Sequence, residues 1–113
     1  MLQDEGSSQY LTIWEFHVRA GCESQFEAVY GPNGEWVQLF AQAHGFIKTE
    51  LNHDLNDPLH YLTLDYWSSK EAYEIFREQY RTEYAVLDQR CEGLTEQETA
   101  LGVFERVDAE SRR

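Results

Sequence analysis

The run Tyr61–Trp67 constrains this chain most, because it alternates as a strand does and then gives way at once to a helix start. Tyr61, Thr63, Asp65 and Trp67 share one face, and Leu62, Leu64 and Tyr66 share the other. Neither is plainly a solvent face. Ser68 and Glu71 then have the spacing of a capping box, in which each side chain satisfies a free backbone N–H, so a helix is expected from about Ser69. Beyond it Ala72, Tyr73, Phe76, Tyr80, Tyr84, Leu87 and Cys91 recur at helical steps, giving one long apolar stripe that has to lie against a sheet.

The remaining elements fit around that pair. Tyr10–Arg19 reads as a first strand, rich in aromatic and β-branched residues and ended by Gly21. Its Tyr10, Trp14, Phe16 and Val18 oppose Leu11 and Ile13, so it too is apolar on both sides. Glu23–Tyr30 predicts a short helix, and Gly31-Pro32-Asn33-Gly34 a turn that a regular helix cannot cross. A second helical piece carries Trp36, Val37, Leu39, Phe40 and Ala43, with Gly45 expected to end it in the left-handed conformation. Phe46–His53 and Leu59–Trp67 make a hairpin with a loop of about five residues. Glu92–Gln97 is a connection, and Glu98–Val107 is a fourth strand with Leu101, Val103 and Val107 opposed to Ala100, Phe104 and Arg106. The order strand, helix, strand, strand, helix, strand is that of an α+β, ferredoxin-like βαββαβ domain with a four-stranded antiparallel sheet. The expected division is a flexible N-terminal segment 1–9, one domain over 10–107 and a charged tail 108–113.

Charge and composition narrow the partners. Nine basic against 21 acidic residues give a formal charge of −12, which repels phosphate backbones and anionic lipid, so neither nucleic acid nor a membrane is expected. The start, Met1-Leu2-Gln3-Asp4-Glu5-Gly6, lacks the basic and apolar regions of a signal peptide, and a cytoplasmic protein is expected. Cys22 and Cys91 have neither CxxC spacing nor a companion His cluster, so two free thiols are the default. His53 and His60 flank a turn and read as solvated. Glu15 and His17 share the first strand's outer face.

Two helices cover one face of such a sheet and leave the other bare. Five or six large side chains left bare, at ~1.5–3 kcal/mol each, represent ~10 kcal/mol of drive toward burial before ordering costs. A two-fold homodimer with sheet facing sheet is therefore expected.

At Trp67-Ser68-Ser69-Lys70-Glu71-Ala72-Tyr73, preceded by Tyr61-Leu62-Thr63-Leu64-Asp65 and by Ala43-His44-Gly45-Phe46, the chain resembles the antibiotic biosynthesis monooxygenase family of dimeric α+β barrels. The resemblance spans about residues 10–107. It implies a small-molecule pocket between sheet and helices; members include cofactor-independent oxygenases of polyketide pathways and heme-degrading enzymes. In the polyketide oxygenases the motif joins the strand-ending Trp to a later Tyr and an earlier Asn. Here Trp67 and Tyr73 match, and Thr63 stands at the Asn position. The heme-degrading pattern is not met: no His lies between residues 61 and 113, and Trp14 occupies the place of its first-strand Asn.

No glycine-rich phosphate loop, metal-ligand cluster or nucleophile elbow is evident, so no cofactor and no metal are expected. An oxygenase of this kind draws its electrons from an electron-rich aromatic or polyketide-like substrate and need only bind it, move a proton and exclude water. On that reading Trp67, Tyr73 and Asp65 are the candidate catalytic residues, with Asp65 raised toward neutrality as a general base by desolvation. Trp14, Thr63, His44 and Phe16 are the candidate substrate-binding residues. Each also has a plain alternative: the tryptophans and Tyr73 as core, Asp65 at a solvated edge, His44 at a helix end. A non-catalytic binding module of the same fold, or a lyase or isomerase using the pocket acid or base, remain open as other functions.

Overall fold

Alternation decides the sheet and helical periodicity decides what covers it. A computed structural model describes residues 9–107, so the expected tail 108–113 and all of the expected segment 1–9 except Gln9 lie outside the described residues. The chain runs β1 (Tyr10–Val18), α1 (Glu23–Tyr30), α2 (Glu35–Phe40), β2 (Phe46–Asp54), β3 (Asp57–Trp67), α3 (Lys70–Gln79), α4 (Arg81–Cys91), a 3-10 turn (Glu92–Leu94) and β4 (Thr95–Glu105). The strands form one antiparallel sheet in the order β2-β3-β1-β4, the split βαβ arrangement.

The β1–β3 register pairs Tyr10 with Trp67, Thr12 with Asp65, Trp14 with Thr63 and Phe16 with Tyr61, which places all eight on one face. The helices cover that face. Phe26 stacks on Tyr30 at 4.3 Å and meets Phe16 edge-on at 5.2 Å. At the other end Trp67 is fully buried among Phe40, Phe46 and Phe76, with ring centroids 5.1–5.5 Å apart. Burying each such ring stabilises the fold by ~1.5–3 kcal/mol. On the opposite face Leu11, Ile13, Leu62, Leu64 and Tyr66 are only half covered, and Phe104 is 49% exposed.

Five local expectations change. The helix cap is Ser69 rather than Ser68: its Oγ accepts the Ala72 N–H at 3.0 Å, while the Ser68 N–H is taken by the Gly45 carbonyl at 2.8 Å. Gly45 has no left-handed φ; it is glycine because a Cβ there would lie 2.3 Å from the Ala72 Cβ, where β2 crosses the start of α3. The hairpin turn is only Leu55-Asn56, held by the Asp54 carboxylate accepting the Asn56 N–H at 2.8 Å, and Pro58 sits near the start of β3 beside a register shift. The long helix breaks at Tyr80 (φ −111°, ψ 30°), yet the bonds Tyr80 N–H to Phe76 O and Tyr84 N–H to Tyr80 O, both 2.9 Å, carry the ladder past it. The apolar stripe therefore survives as two helices. Finally β4 begins at Thr95, and a bulge between its Ala100 and Gly102 partners reverses the alternation, so that Val103 shares the helix-side face with Ala100. Gly102, at φ 151°, supplies a conformation that side-chain-bearing residues rarely adopt. Among the described residues no helix is long and apolar enough to cross a membrane.

Candidate functional site: a carboxyl beneath an aromatic cleft

Asp65 lies on the inner strand β3, and both neighbouring strands set a threonine beside it. Thr12 of β1 and Thr49 of β2 are its register partners, so a polar row crosses three strands inside an apolar face. The Thr49 hydroxyl donates to Oδ1 at 2.6 Å, and the Thr12 hydroxyl makes a long contact to Oδ2 at 3.4 Å. With the carboxyl only 7% exposed, desolvation outweighs these two donors and pushes its pKa up to about 6. Oδ1 accepts a short bond; Oδ2, with only the long Thr12 contact, has more room for a proton.

Above this row is a cleft with about 40 Å³ of open space. Trp14, Phe16, Thr49, Thr63 and Asp65 supply its sheet side, and Tyr30, Trp36, Phe40 and Tyr84 close it from the helices. Trp36 meets Tyr84 edge-on at 4.9 Å, and Phe16 meets Tyr30 likewise at 4.9 Å. Burial pushes both tyrosine hydroxyls well above the ordinary phenol range, so at neutral pH they remain protonated donors. The Trp36 Nε1–H is buried with no acceptor in hydrogen-bond geometry. Asp88 and Glu98 stand at the rim, and burial, with the neighbouring Asp88 and Glu92 charges, pushes the Glu98 carboxyl up. No Lys, Arg or His lines the cleft among the described residues. Such a site can hold a proton and present donors to an oxygen atom among aromatic walls.

The cleft thus brings together four of the expected residues, Asp65, Thr63, Trp14 and Phe16. Three lie elsewhere. Trp67 is not a wall of the cleft but a core ring, screened by Phe40, and its Nε1 is buried without a partner. Tyr73 packs on Tyr10 and Trp67, and its hydroxyl accepts from the Arg77 guanidinium at 3.0 Å. His44 is exposed beyond α2, near Ser68 and Ala72. Trp36, Phe40, Tyr30, Tyr84, Thr49, Asp88 and Glu98 were not singled out by the sequence. Tyr84 lies on the helical stripe and Thr12 and Asp65 share parity in an in-register pairing, so those two signals were there to read. Thr49 was hidden by a bulge at Ile47, which moves it onto the inner face beside Phe46.

Comparison with known proteins gives a consistent picture. The family model for antibiotic biosynthesis monooxygenase matches residues 10–88. No curated protein sequence matches the chain. Among solved structures, SnoaB, a cofactor-independent oxygenase from Streptomyces nogalater, superposes with a TM-score of 0.73 at 17% identity, covering 90% of this chain and 96% of that one. Rv0793 from Mycobacterium tuberculosis gives 0.69 at 15% identity over 89% and 97%. An antibiotic biosynthesis monooxygenase-type protein of Bordetella bronchiseptica gives 0.65 at 20% identity over 89% and 99%. At these identities the likeness carries the fold.

Proposed function

We propose, from the premise that this chain belongs to the antibiotic biosynthesis monooxygenase family, that it is a cofactor-independent monooxygenase acting on an electron-rich aromatic or polyketide-like small molecule. The observation that carries this reading is the Asp65 carboxyl, nine-tenths buried at the floor of an aromatic cleft and raised to about 6, where a general base works best near neutrality. Asp65 Oδ2 takes a proton from an activated ring CH₂ flanked by a carbonyl. The resulting enolate transfers an electron to dioxygen, and recombination forms a carbon–oxygen bond as a hydroperoxide. The proton held by Asp65 passes to the peroxide anion. The freed carboxylate then takes the second C–H proton as the O–O bond breaks, C=O forms and hydroxide leaves. That proton turns hydroxide into water, so CH₂ and O₂ become C=O and water with no outside reductant. Trp14, Phe16, Trp36 and Tyr84 hold the ring, and the Tyr84 and Tyr30 hydroxyls are the donors available to the developing oxyanion. Thr63 is too short to replace an amide. Trp67 supports the cleft through Phe40.

The 40 Å³ of open space admits dioxygen or two or three waters, not a polycyclic ring. Binding therefore requires the half-buried Trp14 and Tyr84 to swing outward, which makes tryptophan fluorescence a direct reporter of occupancy. The absence of an amide at Thr63 favours a second reading, a binding module of the same fold that holds an aromatic ligand without turning it over. An oxygen electrode with a panel of anthrones and hydroquinones separates the two. Saturable oxygen uptake supports the oxygenase, whereas fluorescence quenching with no uptake by any member supports the module.

The half-covered outer face, with Leu11, Ile13, Leu62, Leu64, Tyr66 and Phe104, is the support for a homodimer through the sheet. The unpaired Cys22 and Cys91 suit a reducing compartment and are the support for a cytoplasmic location.

A further inference from the structure

We propose that Glu15, His17 and His60 form a binding site for a divalent transition-metal ion of the zinc type, on the sheet face away from the cleft, with Asp54 orienting His60. The sequence gives no hint of it, since the residues are scattered and all three read as interface or solvated groups. The β1–β3 register assembles them: His17 pairs directly with His60, and Glu15 lies one step along the same face. One ligand atom from each of the three lies within 4.8 Å of the others.

The orientation of His60 is what distinguishes this cluster from a solvated patch. Its Nδ1 lies 2.9 Å from Asp54 Oδ2, and its Nε2 lies 2.7 Å from Glu15 Oε2. With Asp54 accepting the Nδ1–H, the Nε2 lone pair is directed at the Glu15 carboxylate, where an ion would sit; this carboxylate–histidine arrangement is the usual support of a metal-bound imidazole. Without an ion the 2.7 Å contact needs a proton between Nε2 and Glu15, and a metal ion takes that proton's place. Two imidazoles and one carboxylate suit zinc, copper, nickel or iron, whereas magnesium and calcium prefer oxygen ligands alone. The formal charge of −12 draws cations toward the surface. The two imidazole rings stack at 4.8 Å with planes 14° apart. The three ligand atoms lie within 4.8 Å of one another, while ligands about 2.0–2.2 Å from one ion lie at most ~4.4 Å apart, so binding draws them slightly together. Three protein ligands leave a position for water or for a group from another molecule.

This site shares no residue with the cleft, so its fate and that of the proposed oxygenase are separate questions. The test is calorimetric titration of the chelator-treated, tag-free chain with Zn²⁺ and Mg²⁺, with Co²⁺ absorption as a second readout of the ligand field. The expected result is one Zn²⁺ per chain, no Mg²⁺ binding, and a tetrahedral or five-coordinate Co²⁺ spectrum. Glu15→Gln and His17→Ala each weaken Zn²⁺ binding at least ~10-fold, and Asp54→Asn weakens it ~10–100-fold, with unchanged far-UV circular dichroism. His44→Ala and Cys22→Ser leave it unaltered. No saturable Zn²⁺ binding up to about 100 µM, or binding that survives both Glu15→Gln and His17→Ala, overturns the proposal; should His17→Ala misfold, the near-isosteric Glu15→Gln decides alone.

Discussion

At the scale of single residues, Asp65 carries most of the consequence. Its carboxyl is raised to about 6 by desolvation, so the folded chain holds that proton more tightly than the unfolded chain does. The stabilisation this gives is complete below the unfolded carboxyl pKa and is lost as pH rises through about 6. Ionisation of this one buried group therefore costs the fold about 3 kcal/mol at neutral pH, from the two pKa values. Asp65→Asn should gain about that much relative to the natural chain between pH 4 and pH 7, read from urea midpoints of both proteins at both pH values. A constant difference across that range would contradict a buried, raised carboxyl. Tyr73 gives the converse expectation. Its hydroxyl faces Arg77 outside the cleft, so Tyr73→Phe should change stability by less than ~0.5 kcal/mol and leave turnover within a few-fold. A hundredfold loss of turnover in Tyr73→Phe would place the hydroxyl in the chemistry after all.

At the scale of elements, β2, β3 and α3 meet in close contact at Gly45. Gly45 admits no Cβ without displacing Ala72, so Gly45→Ala should destabilise by ~1–3 kcal/mol through overpacking. Ser69→Ala removes the only side-chain helix cap found among the described residues and should cost ~1 kcal/mol, whereas Ser68→Ala should not remove a cap. Thermal melts of the three variants rank these effects. The same junction shows what sequence can and cannot reveal. Strand identity and the β1–β3 pairing follow from alternation, and with them the meeting of Thr12 with Asp65. The caps are off by one because Ser68 and Ser69 are both competent, and only the backbone bond from Ser68 to Gly45 decides between them. Two bulges, near Ile47 and Leu101, reverse parity in the edge strands β2 and β4. At Ile47 no local composition signal marks the bulge, and at Leu101 only the neighbouring Gly102 does, which is why Thr49 and Val103 were placed by tertiary pairing and not by pattern.

At the scale of the whole molecule, one face of the sheet is closed by helices around the cleft and the other keeps Ile13, Leu62 and Leu64 half covered. Native mass spectrometry at micromolar concentration should find twice the 13.3 kDa chain mass. Leu64→Glu should shift it to the monomer without unfolding it, because a charge on that face opposes close contact with a second copy. A monomeric natural chain would leave that apolar face without a partner of its own kind. The cleft was less legible than the fold, since its walls come from helices whose register over the sheet no local pattern sets. Residues of the sheet, Trp14, Phe16, Thr63 and Asp65, were found together, and those of the helices, Trp36 and Tyr84, were seen only as packing. The central claim is that a desolvated carboxyl at the base of this cleft drives oxygen chemistry, and the most direct measurement is the pH profile of substrate-dependent oxygen uptake for the natural chain and Asp65→Asn. The account predicts uptake that rises through pH about 6 in the natural chain and falls by ~10²–10⁴-fold in the variant, with the rise abolished. Equal uptake by both proteins across the range would contradict it.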